Sequence, residues 1–277
     1  MTSTGMLPLA DAELYFEVRG AGPTLVIAQS GEGDANRTEA LVQRLEPDFT
    51  VVTYDRRGLS RSVNHASRVS IATHADDVAR LLEHVTDGPA AMLGCSIGAT
   101  IGLHLAAVAP SRLTTLIAHE PISPWLLPAP ARAQQQEEID EILRIYHDHG
   151  WRAALPPMMR ALGIDPTGQE REPGVDLPPL TPARAANLDH LLSCDMPAAR
   201  DADLDVEALR RTPVQIVPAV GTSTPVQVFD YQCAVQLGTA LSVPVHRLPG
   251  GHNGSITHPH GYGEEVRRLL NGDAHQS

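Results

Sequence analysis

The chain has 277 residues, a formal net charge of −12 and 42% hydrophobic residues. That size suits one large α/β unit, or one unit carrying an insertion. The acidic balance argues against a nucleic-acid partner or an anionic membrane surface, both of which require a basic patch.

All 21 basic residues are arginine, so a lysine Schiff base and a phosphate-loop lysine are excluded. The apolar runs fall short of the roughly 18 residues of a membrane span. Met1 to Ala10 carries no positive segment ahead of an apolar stretch, so no secretory signal is expected. Cys95, Cys194 and Cys233 share no CxxC spacing. A disulfide framework or Cys-rich zinc site is therefore not expected, and a cytoplasmic location is.

Glu13–Val18 and Thr24–Ala28 are β-rich runs separated by the turn Gly20-Ala21-Gly22-Pro23. A Gly-rich loop (Gln29–Asp34) leads to a helix over Thr38–Leu45, and Thr50–Tyr54 is a buried-type strand. Ile71, Ala75, Val78, Leu82 and Val85 follow helical spacing. Ala90–Leu93 reads as a strand, Ile97–Ala109 as a helix and Thr114–Ala118 as a further strand. Strands alternating with helices predict a mostly parallel, doubly wound α/β sheet covered on both faces.

The alternation stops at Pro121. Residues 121–211 contain helical segments (Arg132–His147, Thr181–Leu192, Leu204–Arg211) and a Pro-rich loop, Asp165–Pro179, but no convincing strand. Strands resume at Val214–Val220 and Val243–Leu248, and a helix over Tyr262–Leu270 closes the chain. The expected organisation is a core of residues 1–120 and 212–277 with an inserted helical lid over 121–211.

Gly94-Cys95-Ser96-Ile97-Gly98 is a G-x-S-x-G run between a strand and a helix. Such a turn holds a serine in a strained backbone, and flanking glycines remove the Cβ clashes it would create. The plainer alternative is a strand-to-helix turn with a capping serine. A serine nucleophile needs a base. Among 13 histidines, His252 lies in a Gly-rich loop after the last strand, at the same sheet edge as Ser96. The base needs a carboxylate. No acid follows Val214–Val220 until Asp230, whereas Glu120 directly follows Thr114–Ala118 and His119. Glu120 is favoured and Asp230 is second. The backbone amides of Gly31 and Ile97 are the expected oxyanion donors. Glu32, beside that site, is expected to point away or to bind a substrate group. No metal or organic cofactor is required.

Taken together, these residues resemble the α/β-hydrolase superfamily over nearly the whole chain. Tyr54-Asp55-Arg56-Arg57-Gly58-Leu59-Ser60-Arg61-Ser62 resembles that fold's motif after its fourth strand, which implies structural roles for the aspartate and arginines. Within the superfamily the chain is most similar to zearalenone hydrolase, a macrolactone lactonase family. The matches are Gly94–Ala99, His119-Glu120-Pro121, Gly221–Pro225 with Phe229-Asp230, Leu248–His252 and Thr257–Pro259. The resemblance implies Glu120 as triad acid and Gly31 in the oxyanion loop.

Two departures bear on substrate. The oxyanion loop reads Ser30-Gly31-Glu32-Gly33, and Asp189 or His190 stands where that family has a lid tryptophan. Glu32, Trp125, Trp151, Met158 and His190 are the substrate-contact candidates. The expected activity is hydrolysis of a small apolar ester or lactone through Ser96, His252 and Glu120. The same triad also supports cofactor-free C–C hydrolysis or perhydrolysis, and a ligand receptor that kept the fold is an alternative outside enzymes.

Overall fold

The computed structural model describes residues 2–165 and 167–272. Among these residues nine strands form one sheet: β1 (Thr2–Pro8), β2 (Ala12–Gly20), β3 (Thr24–Ala28), β4 (Thr50–Tyr54), β5 (Val63–Asn64), β6 (Ala90–Cys95), β7 (Leu113–His119), β8 (Gln215–Gly221) and β9 (His246–Leu248). Their order is β1-β2-β4-β3-β6-β7-β8-β9, with β5 paired to β2. From β4 across to β9 every pairing is parallel, while β1, β2 and β5 pair antiparallel.

The central strands are apolar on both faces because successive side chains enter different cores. Leu25 and Ile27 pack with α1 (Glu39–Leu45) and the C-terminal helix Pro259–Leu270 on one side. Val26 and Ala28 face α2 (Ile71–Val85) and α3 (Ile97–Val108) on the other. A capping box at Ser70 and Thr73 fixes the start of α2.

Between β7 and β8, α4 (Ala129–His149), α5 (Trp151–Ala161), α6 (Pro182–His190), α7 (Met196–Arg200) and α8 (Val206–Arg211) form a helical block, with a π-helical turn at Leu191–Asp195. Ile139, Met158, Leu188 and Leu191 of this block share one apolar cluster with α3. After β8 come α9 (Phe229–Leu241), α10 (Gly254–Thr257) and α11 (Pro259–Leu270). Among the described residues no helix is long and apolar enough to cross a membrane. All three cysteines are free thiols.

Several elements differ from the sequence expectation, and three of them show why. β1 is an edge strand with a mostly exposed polar sequence, so it shows no hydrophobic alternation. α5 contains Pro156 and Pro157, which read as breakers but are accommodated inside the helix. α9 follows the Val226-Gln227-Val228 segment and carries Gly238 and Thr239, which lower its helical signal.

Candidate active site

Sheet register assembles the site. Cys95 of β6 pairs with His119 of β7, and His119 pairs with Ala219 of β8. Ser96 and Glu120, one residue beyond, therefore leave the same edge side by side. The Ser96 amide donates to His119 O at 2.9 Å, and the Glu120 amide donates to Ala219 O at 3.0 Å. Gly221 of β8 pairs with Leu248 of β9, so the loop after β9 brings His252 to that edge.

Ser96 has φ 58° and ψ −121°, outside the ordinary regions for an L-residue. Its neighbours must be glycines. A Cβ on Gly94 would lie 2.6 Å from Ala99 Cα, and one on Gly98 would lie 2.1 Å from Ala28 O. Glu120 is likewise held at φ +46°, a conformation disfavoured for a non-glycine residue.

Ser96 Oγ lies 3.0 Å from His252 Nε2, and His252 Nδ1 lies 2.9 Å from Glu120 Oε2. The other Glu120 oxygen accepts from the Gly221 amide at 2.8 Å. A second carboxylate also reaches the imidazole: Asp230 Oδ2, from the first turn of α9, stands 2.5 Å from Nδ1. It makes no directed hydrogen bond there, and its other oxygen accepts from the Tyr231 amide. Glu120 and Asp230 are fully buried and His252 nearly so.

Burial alone would raise Glu120, but the His252 hydrogen bond and the His119 ring hold it below the usual carboxylate range. Asp230 goes the other way, pushed up by burial and by the adjacent Glu120 charge. Burial alone would depress His252; Asp230 and Glu120 outweigh it and raise the imidazole. The three side chains offer ligand atoms within 4.8 Å of one another. Yet the 2.9 Å separation is that of a hydrogen bond and the 2.5 Å separation that of a close carboxylate–imidazole contact, whereas two ligands of one zinc ion stand about 3.4 Å apart.

Beside Ser96 and His252 opens a partly enclosed cavity of about 240 Å³, near the small end for ligand sites. Gly31, Glu32 and Met158 line it, as do Leu155, Leu162, Leu188, Leu191 and Met196 from the helical block and its following loop. Trp125, Trp151 and His190 do not line it. Trp125 is buried edge-on to His104, 6.5 Å between ring centroids, because its 3₁₀ turn tucks beneath the start of the helical block. Trp151 is half-buried and stacks with Arg152. His190 packs against Gly58, where a Cβ would come within 2.3 Å of its ring.

Glu32 neither points away nor stands alone. Its Oε1 lies 2.8 Å from both Arg37 Nη2 and Arg184 Nη2. Burial raises its carboxyl, but the two guanidiniums more than reverse this and hold it at about 2.

Arg56, which the motif suggested was structural only, also reaches the site. Its Nη2 donates to Gly31 O. Its Nε and Nη2 donate to Asp195 Oδ2 at 3.0 and 2.6 Å, and His74 Nε2 lies 3.1 Å from Asp195 Oδ1. Asp195 and Arg184 went unnoticed in the sequence because their partners are 139 and 152 residues away, and Arg37 because no motif joins it to Glu32.

Residues 23–143 match the model of the alpha/beta hydrolase fold. The uncharacterized hydrolase YraK of Bacillus subtilis (strain 168) is 32% identical over 274 residues, covering 97% of this chain and 96% of YraK. A hydrolase from Pseudomonas aeruginosa PA01 superposes with a TM-score of 0.69 at 24% identity, covering 96% of this chain and 98% of that one. A thermophilic esterase from Thermogutta terrifontis superposes with a TM-score of 0.75 at 18% identity, covering 98% of each chain.

Proposed function

The chain belongs to the α/β-hydrolase family, and from that premise we propose that it cleaves a carboxylic ester or lactone through a serine acyl-enzyme. The observation that carries this reading is the continuous contact Ser96–His252–Glu120, at 3.0 and 2.9 Å, ending on the cavity.

Ser96 Oγ attacks the carbonyl carbon while His252 Nε2 takes its proton. Glu120 holds the imidazole in the tautomer with the proton on Nδ1 and stabilises the imidazolium that forms. The amides of Ile97, at the start of α3, and of Gly31 receive the oxyanion, a contribution of about 3 kcal/mol for each donor. The tetrahedral intermediate collapses, the leaving alkoxide takes the proton from His252, and water activated by His252 then releases the acid. The helical block serves as the lid, and its apolar side chains line the acyl or alcohol pocket.

A zearalenone-type macrolactone is the narrower substrate reading, supported by the motifs around Ser96, Glu120 and His252. A 4-nitrophenyl acetate burst is the direct test. Stoichiometric nitrophenolate release, lost in Ser96→Ala, is the expected result. No release and no labelling by a serine-directed phosphonate would overturn the enzyme reading in favour of a receptor. Turnover of simple esters without opening of zearalenone would remove the narrower reading alone.

A further inference from the structure

The cavity wall opposite in charge to the Ser96 region holds two guanidiniums and one carboxylate. Arg37, in the loop before α1, and Arg184, in the first turn of α6, both converge on a single Glu32 oxygen. Among the described residues, Glu32 is the one carboxylate within ion-pair distance of either. Asp34 contributes at longer range but is held by the Asn36 amide and the Ser60 hydroxyl. The Arg37 and Arg184 side chains are only 9% and 18% exposed.

Two other largely buried arginines each meet two carboxylates. Arg19 lies between Glu17 and Glu39, and Arg57 between Asp77 and Asp11. Here one positive charge has no partner, and a guanidinium does not shed its proton to relieve that cost. Arg184 spends Nη1 on the carbonyls of Pro178 and Pro179 and Nη2 on Glu32, but its Nε has no partner. Arg37 also has an unpaired buried Nε. Unpaired Nε groups occur at Arg19 and Arg132 too, but neither of those residues lines this cavity.

We propose that Arg37 and Arg184 form a carboxylate subsite, so that the substrate is a small ester or lactone bearing a carboxylate besides the scissile bond. One uncompensated charge matches a monoanion. A phosphate dianion would leave the site over-neutralised. The remaining wall is apolar (Leu155, Met158, Leu162, Leu188), which suits a short hydrocarbon linker between carboxylate and reacting carbonyl. The proposal rests on the ester-hydrolase reading for its chemistry. It sets this protein apart from a lactonase acting on a neutral macrolactone.

The test compares mono-4-nitrophenyl adipate and suberate with their methyl-capped neutral counterparts, which share the leaving group. The wild-type protein is expected to favour an anionic ester by about 30-fold or more in kcat/KM, as for a charge pair shielded from water. In Arg37→Gln that ratio should collapse towards one, chiefly through KM, and Arg184→Gln gives an independent variant should the first fail to fold. Equal rates for both esters in the wild type, or an unchanged ratio in the folded variants, would overturn the subsite and leave the hydrolase reading standing. If no ester is turned over, the hydrolase reading fails. The subsite is then judged by calorimetric titration with monomethyl adipate, which carries a single carboxylate: binding lost in Arg37→Gln supports it, and no binding to the wild type overturns it.

Discussion

Two buried charge clusters border the cavity, and they are opposites. At His252, two carboxylates bear on one imidazole; at Glu32, two guanidiniums bear on one carboxylate. The first can settle its excess internally. Asp230 is raised by burial and by its neighbour's charge, so it can hold a proton while Glu120 remains ionised and His252 stays available as a base. The second has no such outlet, because arginine keeps its proton at any working pH. A surplus acid can be corrected by protonation, whereas a surplus arginine calls for an anion from outside.

Removing the nucleophile sets the floor for that comparison without touching either cluster. Ser96→Ala should lower kcat by about 10⁶-fold, measured with 4-nitrophenyl acetate. Glu120→Gln should follow, losing about 10³-fold to 10⁴-fold because the tautomer of His252 is no longer held. If Asp230 substitutes for Glu120 at Nδ1, the single variant will retain far more activity than the Glu120→Gln, Asp230→Asn double variant. Equal activity in both would show that Asp230 has no share in orienting the base.

Asp230→Asn alone should cost about tenfold or less, with its signature in pH dependence. Both carboxylates raise His252, and the acid limb of kcat/KM falls where Nε2 becomes protonated. Removing one carboxylate removes one cause of the rise. The limb should therefore move to lower pH, and activity near pH 5–6 should increase relative to that at pH 8. A limb that stays in place would detach Asp230 from the base.

A third cluster, Arg56 with Asp195, is balanced one to one and nearly fully buried. Its disruption should be read in stability before rate. Asp195→Asn leaves Arg56 without its partner and should cost about 3–5 kcal/mol in urea unfolding. A smaller fall in kcat should follow, since Arg56 also holds Gly31 O. Unchanged stability would mean that Gly31 O satisfies Arg56 without the carboxylate.

The sheet and the Ser96–His252–Glu120 chain were legible because both follow local rules. Buried parallel strands read as apolar runs, the sharp turn needs its two glycines, and each reactive side chain directly follows a strand or lies in the Gly-rich loop just after one. The choice between Glu120 and Asp230 was less sharp in the sequence, which ranks them by distance from a strand end. In space both lie against the same nitrogen, since α9 turns back over β8. The cavity wall was legible only in part, through Glu32 and Met158. Trp125 and Trp151 drew notice as large aromatics, yet they pack elsewhere, while Arg37 and Arg184 resembled ordinary surface arginines until folding joined them through Glu32.

The π-helical turn at Leu191–Asp195 inserts one surplus residue into the winding between α6 and α7. In an α-helix each residue advances the side chains by about 100°, so this extra step decides where Asp195 and Met196 point. A single-codon deletion at exposed Ser193 or half-exposed Cys194 would restore regular winding and swing the partner of Arg56 out of register. Relatives could thus exchange one pocket shape for another through an indel in the helical block, with the strand-end chemistry left intact.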